Sequence, residues 1–298
     1  MSKREIFDII IALLAMLAMF LLGFILPLFG TLLLLLLPVP AIILFVRYDI
    51  QTALLFILLS SILFTLLISP LLFIIIIVNI GLISIVMGAA IKEDFSGTKI
   101  FLAGVIASLI SLILILVISI YSFDVDIIAM LSENIEEMIN IAELDQLLDD
   151  TALIEEVIAE TLEFITVTFP AFFITLSVVI SALNYYVASL FLTELEEKNN
   201  SFLIIKYFKL PRITLILFII TVVTIEFIIS KNLLLIITFL LVVQGVGLLY
   251  WYFENKMKFS LLLIILFIMV ILPMINPLLL FLGLLDLVFD LRNLGQKN

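Results

Sequence analysis

The chain of 298 residues contains neither cysteine nor histidine. It can therefore form no disulfide, thiol nucleophile, imidazole-based metal site or Ser-His-Asp triad. Charged residues are also scarce, at 13% of the chain, against about 25% in ordinary soluble proteins. In their place, 65% of the residues are hydrophobic, and the mean hydropathy is +1.45. A soluble globule of this size cannot bury so much apolar surface. The composition therefore predicts a membrane protein and excludes a cytosolic enzyme or a nucleic-acid-binding protein.

The net charge of −11 is concentrated in one segment. Residues 123–163 contain 13 of the 25 acidic residues and no lysine or arginine. The other 12 acidic residues are opposed by 14 basic ones, so the rest of the chain carries a net charge of +2. The acidity therefore belongs to a local insertion in one membrane domain that spans residues 1–298.

Long apolar runs predict an all-α, polytopic membrane protein, because a span needs about 20 apolar residues. We predict eight full spans and a short C-terminal hydrophobic hairpin. The eight spans lie at 6–26, 31–46, 50–68, 71–91, 100–122, 164–193, 213–229 and 233–253, and the hairpin at 259–272 and 278–291. Pro273, Asn276 and Pro277 supply the turn of the hairpin. The first run is too long for a cleaved signal segment, so we expect it to remain as the first membrane helix.

Lysine and arginine set the predicted orientation. With Lys3 and Arg4 in the cytoplasm, 13 of the 14 basic residues fall on the cytoplasmic side and only Lys231 falls outside. Treating residues 259–291 as a single span would change that division to 11 and 3. We therefore predict a hairpin, with both termini cytoplasmic and residues 123–163 extracytoplasmic.

The second span contains Pro38 and Pro40, neither of which can donate a backbone hydrogen bond. This predicts a kinked or broken helix. Broken backbone at membrane depth is tolerated where it is buried in protein or lines a wet cavity. The sequence leaves both interpretations open.

Residues 123–163 predict two amphipathic helices that cover the outer mouth of the protein as a lid. Their apolar residues recur at helical spacing. They are Ile128, Leu131, Ile135, Met138 and Ala142 in the first helix, and Ile154, Val157, Ile158, Leu162 and Ile165 in the second. Asp149 and Asp150, with Thr151, offer an N-cap for the second helix. The acidic face is either simply solvated or a funnel that concentrates cations or binds a divalent metal.

Polar groups at mid-membrane mark either binding sites or hydrogen bonds between helices. We predict a site for a neutral polar solute formed by Asn79, Asn184, Tyr185 and Gln244, because amides and a phenol recognise such solutes by hydrogen bonding. Glu226 lies near the outer end of its span. It either pairs with Lys231 at the interface or carries a proton in an ion-coupled step.

A second set of residues predicts docking of a protein partner on the cytoplasmic side. They lie in the 194–212 loop and at the end of the last helix: Lys206, Tyr207, Phe208, Lys209, Asp286, Asp290 and Arg292. The alternative is a connector that rests on lipid head groups. No phosphate-binding Gly-x-x-x-x-Gly-Lys-Ser/Thr loop occurs, so we expect no ATPase site. We also expect no cofactor and no enzymatic activity.

Several motifs together resemble a known family. They are Leu37-Pro38-Val39-Pro40 followed by Arg47-Tyr48, Leu183-Asn184-Tyr185-Tyr186, Lys209-Leu210-Pro211-Arg212, Gln244-Gly245, and Gly283-Leu284-Leu285-Asp286-Leu287-Val288-Phe289-Asp290-Leu291-Arg292. In this order they resemble the YybS-like bacterial membrane proteins, a family of unknown function. Val288 stands where the family often has an aromatic residue. The resemblance implies the bacterial cytoplasmic membrane as the location.

That family is distantly similar to the S components of energy-coupling-factor importers, which capture solutes and work with a separate coupling subunit. The similarity implies a membrane-embedded solute-binding or transport subunit without its own ATPase. Many S components carry small residues four apart on the first helix, whereas Ala12, Ala15 and Ala18 are three apart here. The alternative hypothesis is a non-transporting scaffold that recruits a protein partner through the 194–212 loop.

Overall fold

The structure is a computed structural model that describes residues 1–26, 30–68, 71–123, 126–141, 151–195, 207–253 and 275–292. Every regular element in these ranges is a helix. The helices are α1 (Lys3–Ile25), α2 (Gly30–Leu35), α3 (Val39–Arg47), α4 (Ile50–Leu67), α5 (Leu71–Ile75), a π-helical turn (Ile76–Ile80), α6 (Gly81–Lys92), α7 (Gly97–Phe123), α8 (Ile127–Ile141), α9 (Thr151–Glu194), α10 (Ile213–Val223), α11 (Ile228–Phe253) and α12 (Asn276–Phe289).

Seven helical segments of the described chain are long and apolar enough to cross a membrane. They correspond to seven of the eight predicted spans. The remaining span, predicted at 213–229, is divided: α10 ends at Val223 and α11 begins at Ile228. The Thr224 hydroxyl donates to the Ile220 carbonyl at 2.7 Å, and such a local bond competes with the helical ladder. Eight spans stay a prediction, and residues 259–272 of the hairpin lie outside the described residues.

The prediction of a broken second span is confirmed. α2 ends at Leu35, three residues form turns, and α3 begins at Val39. Pro38 and Pro40 cannot donate to the carbonyls four residues earlier, so the helical ladder stops there. The Val39 N–H instead bonds the Leu36 carbonyl at 3.0 Å, which leaves the Leu35 carbonyl without its helical partner.

The short helix α3 lies at the centre of the bundle, with most of its residues buried. One face, including Val39 and Ile42, packs with α6, α7 and α9. The other, including Ala41 and Leu44, packs with α1, α4 and the π-helical turn. The broken span is therefore a core element of the bundle.

The first predicted amphipathic helix matches α8, and the second continues directly into a membrane span as the single 44-residue helix α9. The proposed cap at Asp149 and Asp150 lies outside the described residues.

α9 contains Pro170, and Asn232 of α11 binds there. The Asn232 Oδ1 accepts from the Ala171 N–H at 3.0 Å, and its Nδ2 donates to the Val167 carbonyl at 2.8 Å. An unbroken helix would pair those two backbone groups with each other. Asn232 therefore stabilises the proline site of α9.

Helices α11 and α12 cross at a close backbone contact between Gly245 and Gly283. A Cβ atom on Gly245 would lie 2.0 Å from the Leu279 carbonyl oxygen, and one on Gly283 would lie 2.0 Å from the Leu241 carbonyl oxygen. Because the obstacle on each side is backbone, neither helix can accommodate a side chain here without moving.

We expect Gly245→Ala and Gly283→Ala each to destabilise the protein by about 1–3 kcal/mol, because overpacking forces the backbone apart. The measurement is equilibrium unfolding of the purified protein in detergent. Gly81→Ala is the matched control, since a Cβ there has no atom within 4 Å. Equal stability of all three variants would show that the close crossing does not hold α11 and α12 together.

Candidate functional site

A cavity of about 460 Å³ lies between α1, the broken α2–α3 segment and α9. α1 contributes the face from Asp8 to Met19, α9 contributes Val187 and Phe191, and Leu195 follows the end of α9. The broken segment contributes residues from Leu33 to Arg47. The α2–α3 segment, which packs in the core, therefore also borders this cavity. Ala12 and Ala15 line this cavity on α1.

All lining residues except Asp8 and Arg47 are apolar. These two form an ion pair, with Arg47 Nη1 2.8 Å from Asp8 Oδ2. Their side chains are 13% and 18% exposed, respectively. The Tyr48 hydroxyl also donates to Asp8 Oδ2. The cavity thus has apolar walls and one polar end.

The polar end is held together by contacts between four helices. The Lys92 ammonium at the end of α6 donates to the Tyr48 carbonyl at 2.6 Å. The Thr52 hydroxyl of α4 donates to Glu5 of α1 at 2.5 Å. These contacts place the start of α1, the end of α3, the start of α4 and the end of α6 at one end of the bundle.

Two groups in the α3–α4 connection have shifted pKa values. Burial, and then the hydrogen bond to Asp8, raise the pKa of the Tyr48 hydroxyl. The Tyr48 hydroxyl therefore stays protonated at neutral pH and keeps donating to Asp8. Hydrogen bonding from the Thr52 N–H lowers the pKa of the Asp49 carboxyl, which caps α4 in its charged form.

Asn184 on α9 holds the broken wall of the cavity. Its Nδ2 donates at 2.8 Å to the Leu35 carbonyl, which the proline break leaves without a helical partner. The same Nδ2 donates to Ile180, one turn earlier on α9. Leu36, next to Leu35, and Val187, one turn after Asn184, both line the cavity. The buried Asn184 Oδ1 has no hydrogen-bond partner among the described residues.

The other three residues of the predicted solute site lie apart from this wall or inside the core. Tyr185 is fully buried and packs among Val39, Ile42 and Ile83. Asn79 is half-buried in the π-helical turn, which contacts α4 and α7. Gln244 is fully buried on α11, in a separate polar cluster. Glu226, the candidate proton carrier, is exposed in the connection between α10 and α11.

Gln244 belongs to a buried cluster with two predicted docking residues, Asp286 and Arg292, which we call the carboxylate node. Gln244 Nε2 donates to Asp286 Oδ2 at 2.7 Å, and Arg292 Nη2 lies 2.6 Å from the same oxygen. Both charged side chains are 0% exposed. The node thus combines one residue of the predicted solute site with two of the predicted docking set.

The carboxylate node fixes the segment that leads into α10. The Leu210 N–H donates to Gln244 Oε1 at 3.0 Å, and Arg292 Nη2 donates to the Phe208 carbonyl at 2.7 Å. Lys209 pairs with Asp290 at 2.6 Å. Tyr207 precedes this anchored stretch and is 58% exposed, whereas Lys206 lies outside the described residues.

Two residues, Asp8 and Asn232, have structural roles that the sequence does not suggest. Asp8 was not singled out, because a carboxylate near Lys3 and Arg4 is typical of an ordinary helix start at the membrane surface. The motif Arg47-Tyr48 was the available signal, and it marks the partners of Asp8. Asn232 was also missed, since its neighbour Lys231 made that region resemble a simple interface.

Comparison with known proteins identifies one family. The family model described as "Predicted membrane protein (DUF2232)" matches residues 12–287, which is most of the chain. No curated protein and no solved structure matches it.

We expect Asp286→Ala to cost about 3–5 kcal/mol of unfolding free energy, because the Arg292 guanidinium would remain buried without its counter-charge. The double variant Asp286→Leu with Arg292→Met removes both charges and should cost less than that single variant. A double-mutant cycle on purified protein, with Asp286→Leu and Arg292→Met as its single variants, measures the coupling of the two side chains. Lys209→Ala is the control, because it breaks a partly exposed ion pair and should cost at most about 1 kcal/mol. Additive effects of the two node substitutions would contradict a coupled node.

Proposed function

The chain belongs to the DUF2232 family of membrane proteins, and we propose that it is a membrane-embedded solute-binding or transport subunit without its own ATPase. The observation that carries this proposal is the cavity of about 460 Å³ between α1, the broken span and α9. Its size lies within the range of sites for small molecules. The resemblance to YybS-like proteins and to S components supports the same role.

The proposed orientation places both termini in the cytoplasm of a bacterial cell and residues 123–163 outside it. The positive-inside rule supports this arrangement. So do the contacts that bring Arg47 and Lys92 to the same end of the bundle as the start of α1. In this orientation the polar end of the cavity lies at the cytoplasmic side, and the acidic helix α8 and the first part of α9 lie outside.

Asn184 is the residue of the proposed solute site with the strongest support. Its buried Oδ1 has no hydrogen-bond partner among the described residues, although Asn184 itself does not line the cavity. Buried polar groups are normally satisfied, and in the proposal a donor group of the solute satisfies this one. Tyr185, Asn79 and Gln244 remain in the proposal as further polar groups, although the amide of Gln244 already binds Leu210 and Asp286.

We expect the purified protein in nanodiscs to be stabilised by one or more members of a panel of vitamins, nucleobases and amphiphiles. Asn184→Ala should reduce that effect, because the Leu35 carbonyl and the cavity wall lose their support. Thermal shift and native mass spectrometry provide the measurements.

Asn232→Ala is the matched control for Asn184→Ala. Like Asn184, Asn232 binds backbone near a proline without lining the cavity itself. Its partners Val167 and Ala171 adjoin no lining residue, whereas the Asn184 partner Leu35 adjoins the lining residue Leu36. The variant should lower stability and preserve ligand binding. If no panel member binds the wild type, or if both variants bind as well as it does, the proposed binding role is wrong.

A scaffold is the second candidate function, and the carboxylate node favours it. Arg292 and Gln244 hold the Phe208 carbonyl and the Leu210 N–H in place, so the neighbouring exposed Tyr207 is presented at a fixed position. Such a preorganised surface lowers the entropic cost of binding a protein partner.

A photo-reactive residue at position 207 should then capture one dominant protein in cells. The control is the same probe at Phe227, which is also exposed but lies in the connection between α10 and α11. We expect that product to disappear when Asp286→Ala releases the anchored segment. Crosslinking only to lipid at position 207 would exclude the scaffold role.

A further inference from the structure

The carboxylate node lies deep along helix α11. This helix, Ile228–Phe253, is long and apolar enough to cross a membrane. Lys231 and the exposed Trp251 lie near its two ends, and both residue types are typical of membrane boundaries. Trp251 comes 20 positions after Lys231, and the corresponding length of about 30 Å matches the hydrocarbon core. Gln244 is seven positions before Trp251, so the node lies about 10 Å inside the boundary at the Trp251 end.

Helix α10 covers only about half of the hydrocarbon core. It has 11 residues, Ile213–Val223, which correspond to about 16 Å. The segment before it is tied to the depth of the node, because the Leu210 N–H donates to Gln244 Oε1. Its other end connects through residues 224–227 to the start of α11. Helix α10 therefore runs from the depth of the node to the outer boundary.

Helix α12 reaches the node from the opposite side of the membrane. It runs antiparallel to α11, since Leu279 packs with Tyr250 near the end of α11, whereas Leu287 packs with Ile237 nearer its start. After α12 the chain turns at Asp290, which adopts a left-handed conformation with φ 49°. Helix α12 therefore covers the part of the core that α10 leaves, and the two helices meet at the node.

Two irregular stretches of chain, 207–212 and 290–292, consequently lie inside the hydrocarbon core. Such backbone is tolerated at membrane depth only where it is buried in protein or lines a water-filled cavity. The side of the 207–212 segment that faces α11 and α12 is buried. There the node binds the Phe208 carbonyl and the Leu210 N–H. The protein interior thus satisfies one side of the segment only.

The other side of the 207–212 segment is open and charged. Pro211 and Arg212 are exposed, and Arg212 forms none of the ion pairs found among the described residues. Lys209 and Asp290 are paired at 2.6 Å and are 21% and 16% exposed. Charged side chains at membrane depth pair with one another or face a water-filled cavity. An exposed arginine at this depth therefore indicates water.

We propose that the 207–212 segment is the floor of an aqueous recess that opens to the cytoplasm and reaches about 10 Å into the hydrocarbon core. The recess is the cytoplasmic half of a path for a small hydrophilic solute, which the apolar walls of the cavity beside α1 do not provide. This deepens the proposed transport role and rests on it. Beyond the floor, exposed apolar side chains of α10 such as Ile220 face lipid.

The first test uses the absence of cysteine from the chain. Pro211→Cys is treated with a charged, membrane-impermeant maleimide from the side that carries Ser2. We expect it to react at least about tenfold faster than Ile220→Cys, because each unit by which an apolar environment raises a thiol pKa lowers the reactive thiolate fraction tenfold. Ile220 is the matched control, since it is 50% exposed on α10 but lies two turns beyond Arg212.

Depth is measured separately, because a cysteine at the membrane surface would also react. A bimane fluorophore on Pro211→Cys should be quenched both by aqueous iodide and by lipids brominated near the middle of their acyl chains. On Trp251→Cys, which marks the boundary on α11, quenching by lipids with a spin-labelled head group should dominate.

Two results would overturn the recess. Quenching at position 211 by iodide and by head-group labels alone would place the segment at the membrane surface. Quenching by brominated chains without iodide, or equal reaction rates of the two cysteine variants, would place it in lipid. Either result leaves the binding role to the thermal-shift panel. If position 211 behaves as expected and no panel member binds, the recess is supported and the binding role is wrong.

Discussion

A backbone carbonyl or N–H that loses its helical partner inside hydrocarbon must find another one, and this constraint shapes the bundle. Proline breaks the helical ladder in two places, before α3 and within α9. At each proline site an asparagine from another helix binds the nearby backbone: Asn184 binds the Leu35 carbonyl, and Asn232 binds both Val167 and Ala171. Each bond fixes the depth at which two helices meet, because an amide reaches only the carbonyl beside it. The prolines and asparagines thus fix the relative depth of neighbouring helices, which apolar packing alone would not determine.

The same rule governs charge in the carboxylate node. Asp286 and Arg292 are fully buried, and a buried ion pair is tolerated only when its remaining polar atoms are also satisfied. Gln244 and the Phe208 carbonyl provide that satisfaction. The irregular segment 207–212 can therefore pack against the middle of α11 and the end of α12. The close contact of Gly245 with Gly283 brings those helices near enough for the amide to reach the carboxylate. Small residues and buried polar groups are therefore two parts of one arrangement.

The architecture was largely predictable from the sequence, because it follows from features that are local along the chain. Apolar runs of sufficient length predict membrane helices, and Pro38 with Pro40 predicts a break wherever the segment lies. The partners of polar residues were not predictable in the same way. Gln244 was grouped with Asn184 because both lie at mid-membrane in sequence, yet the structure places Gln244 with Asp286. Periodicity shows which face of a helix is apolar but not which helix packs against it. For the same reason Asp8, forty residues from Tyr48, gave no signal of the polar end that the two form together.

Helix α9 has 44 residues and a length of about 66 Å at the ordinary helical rise, about twice the thickness of the hydrocarbon core. Its first part carries the acidic face of Glu156 and Glu160, and its last turns carry Val187 and Phe191 in the cavity wall. One helix therefore joins an acidic stretch of the chain to the wall of the cavity. The two ends can be displaced independently only by bending at Pro170, and Asn232 clamps that point. Asn232 therefore restrains bending of α9 at its proline.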